Sequence, residues 1–179
     1  MIVFEKVSQK QFVADWVDQQ EDREALEQVY DQIHLPKRAT AGSAGYDFYL
    51  PADLILAPGE SICIPTGIRV RMPAGVVLLL MPRSGLGTRY RLQLANTIGV
   101  IDSDYYGALN EGHIQATLTN DSKEGKVLTL AAGDRFMQGI FMPYLLCDDD
   151  QAETGQRLGG LGSTDQAPSG QDGSQGAGL

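Results

Sequence analysis

The residues of this 179-residue chain best suited to chemistry fall in five polar clusters. They are Ala44-Gly45-Tyr46-Asp47-Phe48, Pro82-Arg83-Ser84-Gly85, Asn96 to Gly107, Gly133-Asp134-Arg135-Phe136-Met137-Gln138, and Arg157-Leu158-Gly159-Gly160-Leu161-Gly162-Ser163-Thr164. Arg83, Arg135 and Arg157 supply planar forks that match phosphate oxygens. Ser84 adds a hydroxyl beside Gly85, which allows close backbone approach. Gln138 adds a neutral donor. Glycines around Ser163 and Thr164 leave backbone N–H groups able to wrap a phosphate chain. Asp47, Asp102 and Asp104 are suited to a hydrated Mg2+ or to orienting a water. Singly, each cluster also reads as an ordinary turn, surface charge pair or linker. Together they make a concentrated anion site.

The rest of the composition narrows what that anion is. Net charge is -9 and the pI about 4.6. Direct nucleic-acid binding normally needs a basic footprint, and so does an anionic membrane surface. Cys63 and Cys147 lie far apart and outside any metal-binding spacing, so both are expected to be buried free thiols. Neither a signal peptide nor an apolar stretch of spanning length is present in the sequence, which points to the cytoplasm.

Three regions must position these clusters. Residues 1–35 read as a strand and a helical extension. Phe12, Val13, Trp16, Leu26, Val29, Tyr30 and Ile33 recur at helical spacing, and Ser8 with Gln11 fits a capping box. Gln19 to Asp22 is a candidate break between two helices, and the acidic residues read as a solvated face. Residues 36–150 carry the β texture: Ser61 to Pro65, Gly67 to Arg71, Val76 to Met81, Ile114 to Thr119, Val127 to Leu130 and Arg135 to Met142. Turn signals between them predict an all-β sandwich, jelly roll or barrel. Residues 151–179 form an arm and a Gly-rich tail that is expected to be disordered when free.

In this order and at these separations, the five clusters resemble the motifs of the trimeric dUTP pyrophosphatases (dUTPases). The match runs from about Pro36 to Thr164, and Gly99-Val100-Ile101-Asp102-Ser103-Asp104-Tyr105 is its most specific part. The resemblance implies an all-β, dUTPase-like jelly-roll or β-clip core. It implies hydrolysis of dUTP to dUMP and pyrophosphate, which limits uracil incorporation into DNA and supplies dUMP for thymidylate synthesis. Asp102 takes the place of the carboxylate that activates the attacking water. Arg83, Ser84, Gly85 and Gln138 match phosphate contacts. Asn96, Gly99, Ile101 and Tyr105 match the nucleoside pocket, with Tyr105 under the deoxyribose so that a 2′-OH is rejected. Arg157, Leu161, Gly162, Ser163 and Thr164 match an arm that closes over a neighbouring subunit's site in a homotrimer. Mg2+ is expected on the triphosphate, with Asp47 a water-mediated partner.

There are departures. Leu161 stands where the arm usually has a phenylalanine, and it can cover a base without stacking on it. Asp165 adds negative charge where glycine is common. Ala108 to His113 reads as a short insertion, with His113 at the surface or a strand edge. Two alternatives stand beside the hydrolase. One is a dCTP deaminase of the same fold, for which Glu111 is the nearby glutamate. The other is a dUTPase-like, nucleotide-gated regulator that docks a protein partner through the N-terminal helices.

Overall fold

The structure, a computed structural model, describes residues 1–17 and 23–151. The chain starts with strand β1 (Val3–Lys6), then helices α1 (Gln9–Val17) and α2 (Arg23–Asp31). Short strands follow: β2 (Lys37–Arg38), β3 (Tyr46–Tyr49), β4 (Leu54–Leu56), β5 (Ser61–Pro65), β6 (Ile68–Arg71) and β7 (Val76–Pro82). Helix α3 (Ser84–Tyr90) leads to β8 (Leu92–Leu94), β9 (Gly99–Ile101) and a 3₁₀ turn, Ser103–Gly107. Strands β10 (Gln115–Asn120), β11 (Leu128–Leu130) and β12 (Arg135–Pro143) complete the described chain.

Alternation decides which strand faces look inward. In β10, Ala116, Leu118 and Asn120 are buried while Gln115, Thr117 and Thr119 are not. Asn120 tolerates burial because its amide donates to the Leu56 carbonyl at 2.8 Å and the Lys126 carbonyl at 2.9 Å. In β7, Leu78 and Leu80 point into the core. The strands form open sheets in the orders β2-β3-β12-β7-β9, β5-β10-β8, β11-β4 and β1-β6. The all-β expectation is met, as open sheets and not a barrel among the described residues. No helix there is long and apolar enough to cross a membrane.

The N-terminal helices share the core of the strands. Phe12 is fully buried, and Val13, Trp16 and Leu26 join the same cluster as Leu118 and Phe136. The Trp16 indole donates to the Pro65 carbonyl at 3.0 Å. Ser8 caps α1 as its spacing predicts, its hydroxyl accepting the Gln11 N–H at 3.1 Å. Gln11 does not return the bond; its side chain donates to Asp15. Glu111, far along the chain, takes the Ser8 N–H at 2.7 Å and the Ser8 hydroxyl at 2.6 Å instead.

Several sequence expectations need correcting. His113 is not a surface residue: it is fully buried, with Nε2 accepting the Gly67 N–H at 2.7 Å. That bond assigns the ring proton to Nδ1, which donates to Asp15. Asp15 is therefore not part of a solvated face. Cys147 is exposed and Cys63 half-buried. Pro82-Arg83-Ser84-Gly85 is not a simple turn but the entry to α3, where Leu86 and Tyr90 pack on the core. Two glycines in seven residues hide that helix from propensity. The expected break at Gln19 to Asp22 lies outside the described residues.

Phe12→Ala is expected to cost about 3–5 kcal/mol, since a large buried ring leaves a cavity; denaturant midpoints check it. Acid should also weaken the N-terminal anchorage. Burial pushes the Glu111 carboxyl up, but the bonds from the Ser8 hydroxyl and N–H outweigh it and hold the group below its usual 4.5. Burial likewise raises Asp15, and bonds from His113 and Gln11 bring it below its usual 3.8. A carboxyl held low stabilises the fold fully above its unfolded value and loses that effect as pH falls through the folded one. Stability should therefore fall below about pH 4.5, and less steeply in Glu111→Gln, as urea titrations across that range would measure.

Candidate active site

Three of the five clusters meet on β12. Gln138 sits opposite Asp47 of β3 on one side and Met81 of β7 on the other. Met137 faces Pro82, so β7 delivers Arg83 and Ser84 to the same end. A bulge between Arg135 and Met137 inserts Phe136 into the ladder. It lets the consecutive Phe136 and Met137 both enter the core. It also sets the alternation that leaves Gln138, rather than Met137, on the groove side. The resulting groove holds about 380 Å³ and is lined by Gly45, Asp47, Arg83, Ser84 and Gln138, with Ala39, Ser43, Ala44 and Ile140.

The Asp47, Arg83 and Gln138 side chains in the groove are each held. A side chain at position 45 would put its Cβ 2.5 Å from the Gln138 Oε1, so glycine is needed there for close approach. The Gln138 amide donates to the Pro82 carbonyl at 3.3 Å. Asp47 is buried, and its two oxygens are shared between two arginines. Arg83 Nε lies 3.0 Å from Oδ1, and Arg135 Nη1 donates to Oδ2 at 3.2 Å. A guanidinium has five N–H donors, so one bond to Asp47 orients each arginine and leaves it capacity for phosphate oxygens. Two cations around one carboxylate give the cluster a positive balance within an acidic chain. No side chain caps the first turn of α3 at Ser84 and Gly85, so its leading N–H groups keep their affinity for an anion.

The third cluster lies elsewhere in the same chain. Strand β9 runs antiparallel to β7, with Gly99 opposite Leu80 and Ile101 opposite Leu78. Asp102 therefore leaves β9 near the start of β7, whereas Arg83 follows its end. The five residue steps from Val77 to Pro82 separate those ends by roughly 16 Å at about 3.3 Å per step. Asn96 is exposed in the tight turn between β8 and β9, where Thr97 has a φ of 69° and bridges back to Leu94. Tyr105 is only 7% exposed; its hydroxyl donates to the His113 carbonyl and accepts from the Asn110 amide, each at 2.8 Å. Within one chain the groove and the Asp102–Tyr105 region are thus two separate patches. Arg157, Leu161, Gly162, Ser163 and Thr164 lie outside the described residues. Ala39, Ser43 and Ile140 carry no chemical signature, and only the packing of β3 and β12 reveals them.

The donor set does not make a resident metal centre. Among the described residues there is no group of three or more His, Cys, Asp or Glu side chains that could hold an ion. Both Asp47 oxygens serve arginines.

A dUTPase family model matches residues 31–164. The chain belongs to the dUTPase family. The deoxyuridine 5'-triphosphate nucleotidohydrolase of Lactococcus lactis subsp. lactis is 44% identical over 134 residues, which are 74% of this chain and 88% of that relative. The enzyme of the same name from Desulfitobacterium hafniense is 41% identical over 137 residues, 73% of this chain and 86% of the relative. The crystal structure of the Streptococcus mutans dUTPase superposes with a TM-score of 0.62 at 37% identity, covering 81% of this chain and 98% of that one. A dUTPase from phage phi11 of S. aureus, described with a structural Mg(II) ion, shares the fold at 20% identity and a TM-score of 0.60, covering 86% and 97% of the two chains. All five dUTPase clusters fall within the matched span, whereas β1, α1 and nearly all of α2 precede it.

Gly45→Ala should displace the Gln138 amide while leaving stability within about 1 kcal/mol, because the end of a flexible side chain can yield. Weaker binding of inorganic pyrophosphate by calorimetry, with an unchanged denaturation midpoint, is the expected outcome.

Proposed function

We propose that this protein is a dUTP diphosphatase whose sites are completed between the chains of a homotrimer. The observation that carries the shared site is the register of β9 on β7, which separates Asp102 from Arg83 within one chain. A neighbouring copy that presents its Asp102 end to the groove brings the two half-sites together. Symmetric repetition then makes equivalent sites from identical chains.

In this reading Arg83, Ser84, Gly85 and Gln138 hold the triphosphate of dUTP. Asp47 aims the guanidiniums and faces any bound metal only through water. Asn96, Gly99 and Ile101 of the adjacent chain contact uracil, and Tyr105 lies under the deoxyribose. The Asp102 carboxylate orients a water and takes its proton as the oxygen attacks the α-phosphorus in line. The bond from that phosphorus to the bridging oxygen breaks, giving dUMP and pyrophosphate. Charge on the leaving group is met by the guanidiniums, the usual basis of phosphoryl-transfer catalysis. Mg2+, bound with the triphosphate, supplies further neutralisation. Arg157, Leu161, Gly162, Ser163 and Thr164 serve as an arm that closes the site and excludes water. A cytoplasmic setting accompanies this role.

Neither alternative gains support. Glu111, the carboxylate a deaminase would need near the base, is bonded to Ser8, and the relatives named above are nucleotidohydrolases. The apolar residues of the N-terminal helices are packed in this chain's own core, which removes the reason for assigning them a docking partner.

Pyrophosphate release from dUTP, dCTP, dTTP and UTP, each with Mg2+ and with chelator, tests the function. Selective, Mg2+-dependent release from dUTP is expected, and silence on dUTP overturns the reading. Asp102→Asn and Arg83→Ala should each be nearly inactive alone. Unfolded and refolded together in equal amounts, they should recover about a quarter of wild-type activity, because over all randomly assembled trimers about one site in four would draw an intact Asp102 from one chain and an intact Arg83 from another. No recovery would mean that Asp102 and Arg83 do not act from different chains.

A further inference from the structure

The segment that precedes the matched dUTPase span is bonded to the turn that follows Asp102. Three separate ties connect them. Glu5 of β1 accepts the Tyr106 hydroxyl at 2.8 Å and is held by Arg69 at 3.1 Å and Arg71 at 2.8 Å. The Arg69 guanidinium also lies 4.6 Å from the centre of the Tyr106 ring. Ser8, at the start of α1, gives its N–H and hydroxyl to Glu111. Asp15, one turn beyond Phe12, accepts from His113, whose ring also packs 6.2 Å from that of Phe12.

Of the residues receiving these ties, His113 holds Tyr105 directly, Tyr106 is its chain neighbour, and Glu111 belongs to the same 108–113 turn. The His113 carbonyl accepts the Tyr105 hydroxyl, and Asn110 donates to it. Gly112, at a φ of 70°, lets the 108–113 turn lie directly on the Tyr105 backbone; a Cβ there would stand 2.6 Å from the Tyr105 carbonyl oxygen. His113 has no rotational freedom left, with Gly67 bonded to one ring nitrogen and Asp15 to the other. A shift of α1 therefore reaches Tyr105 through a continuous chain of bonds.

We infer that β1 and α1 brace the third-motif turn, and that Asp15, Ser8 and Glu5 are positioning residues for Tyr105 and hence for sugar selection. This rests on the reading of Tyr105 as the deoxyribose-facing residue. In this brace the 108–113 turn and the N-terminal segment each supply the partners of the other. Loosening it gives Tyr105 room to move, and a ribose 2′-OH then fits better.

The test compares Asp15→Ala, the milder Ser8→Ala and Tyr106→Phe, and Leu26→Ala, which destabilises the same helical pair without touching the bonded chain. The readouts are kcat/KM for dUTP relative to UTP, and amide hydrogen exchange over residues 102–113. The three brace variants should lose roughly 5-fold or more of the dUTP preference, mostly through KM, and should exchange faster over 102–113. Leu26→Ala should lose stability yet keep the wild-type preference, and Asp15→Asn, whose carbonyl still accepts from His113, should restore most of it. Unchanged preference in all three brace variants overturns the inference, as does an equal loss in Leu26→Ala. If the wild type hydrolyses no dUTP, the functional reading fails separately. Hydrogen exchange then decides the brace alone, and equal exchange in all variants overturns it.

Discussion

The backbone ladder of β12 is the constraint on which the rest depends. It pairs with β3 on one edge and β7 on the other, so residues far apart in the chain become neighbours at one sheet end. Asp47, Gln138 and the Arg83–Ser84 corner reach the groove through main-chain hydrogen bonds, not through their own attraction. The bulge at Phe136 sets which face each later residue takes. Were Phe136 instead paired in a regular ladder opposite Phe48, Met137 would take the place of Gln138 opposite Asp47. The groove and the hydrophobic core are thus two consequences of one strand's register.

Electrostatics finishes what the ladder begins. A chain with net charge -9 repels a polyphosphate at long range. The Asp47 carboxylate fixes two guanidiniums at short range, and their balance is positive. A buried carboxylate with both oxygens engaged by cations is a positioning device whose desolvation is offset by two charge-assisted bonds. The same division recurs on the opposite side of the molecule. There Glu5 and Asp15 accept from Tyr106 and His113, Glu111 accepts from Ser8, and the N-terminal segment becomes part of the enzyme's frame.

Much of this was legible in the sequence where local rules suffice. Strands β5, β7, β10 and β12 follow from apolar runs bounded by turn residues, and Ser8 was recognisable as a helix cap. Of the five clusters read as one anion site from residue types, three meet on β12. Helix α3 was hidden by its glycines, and it stands because Leu86 and Tyr90 find the core. His113 could not be placed, since a lone histidine in a loop has the same local sequence whether it is exposed or buried. Its burial depends on Asp15 and Gly67, partners far away in the chain.

The sequence by itself determined the chemistry. Residue types do not depend on the fold, and the order of the clusters carries the family. The tertiary structure alone decided which clusters lie together within one chain. Strand direction is a pairing property, so no local pattern could show that β9 runs against β7 and places Asp102 opposite the end that bears Arg83. Only the fold, likewise, shows that the N-terminal helices and the 108–113 turn are one structure. Their contacts span about a hundred residues, and hydrogen bonds at that separation leave no periodicity to read.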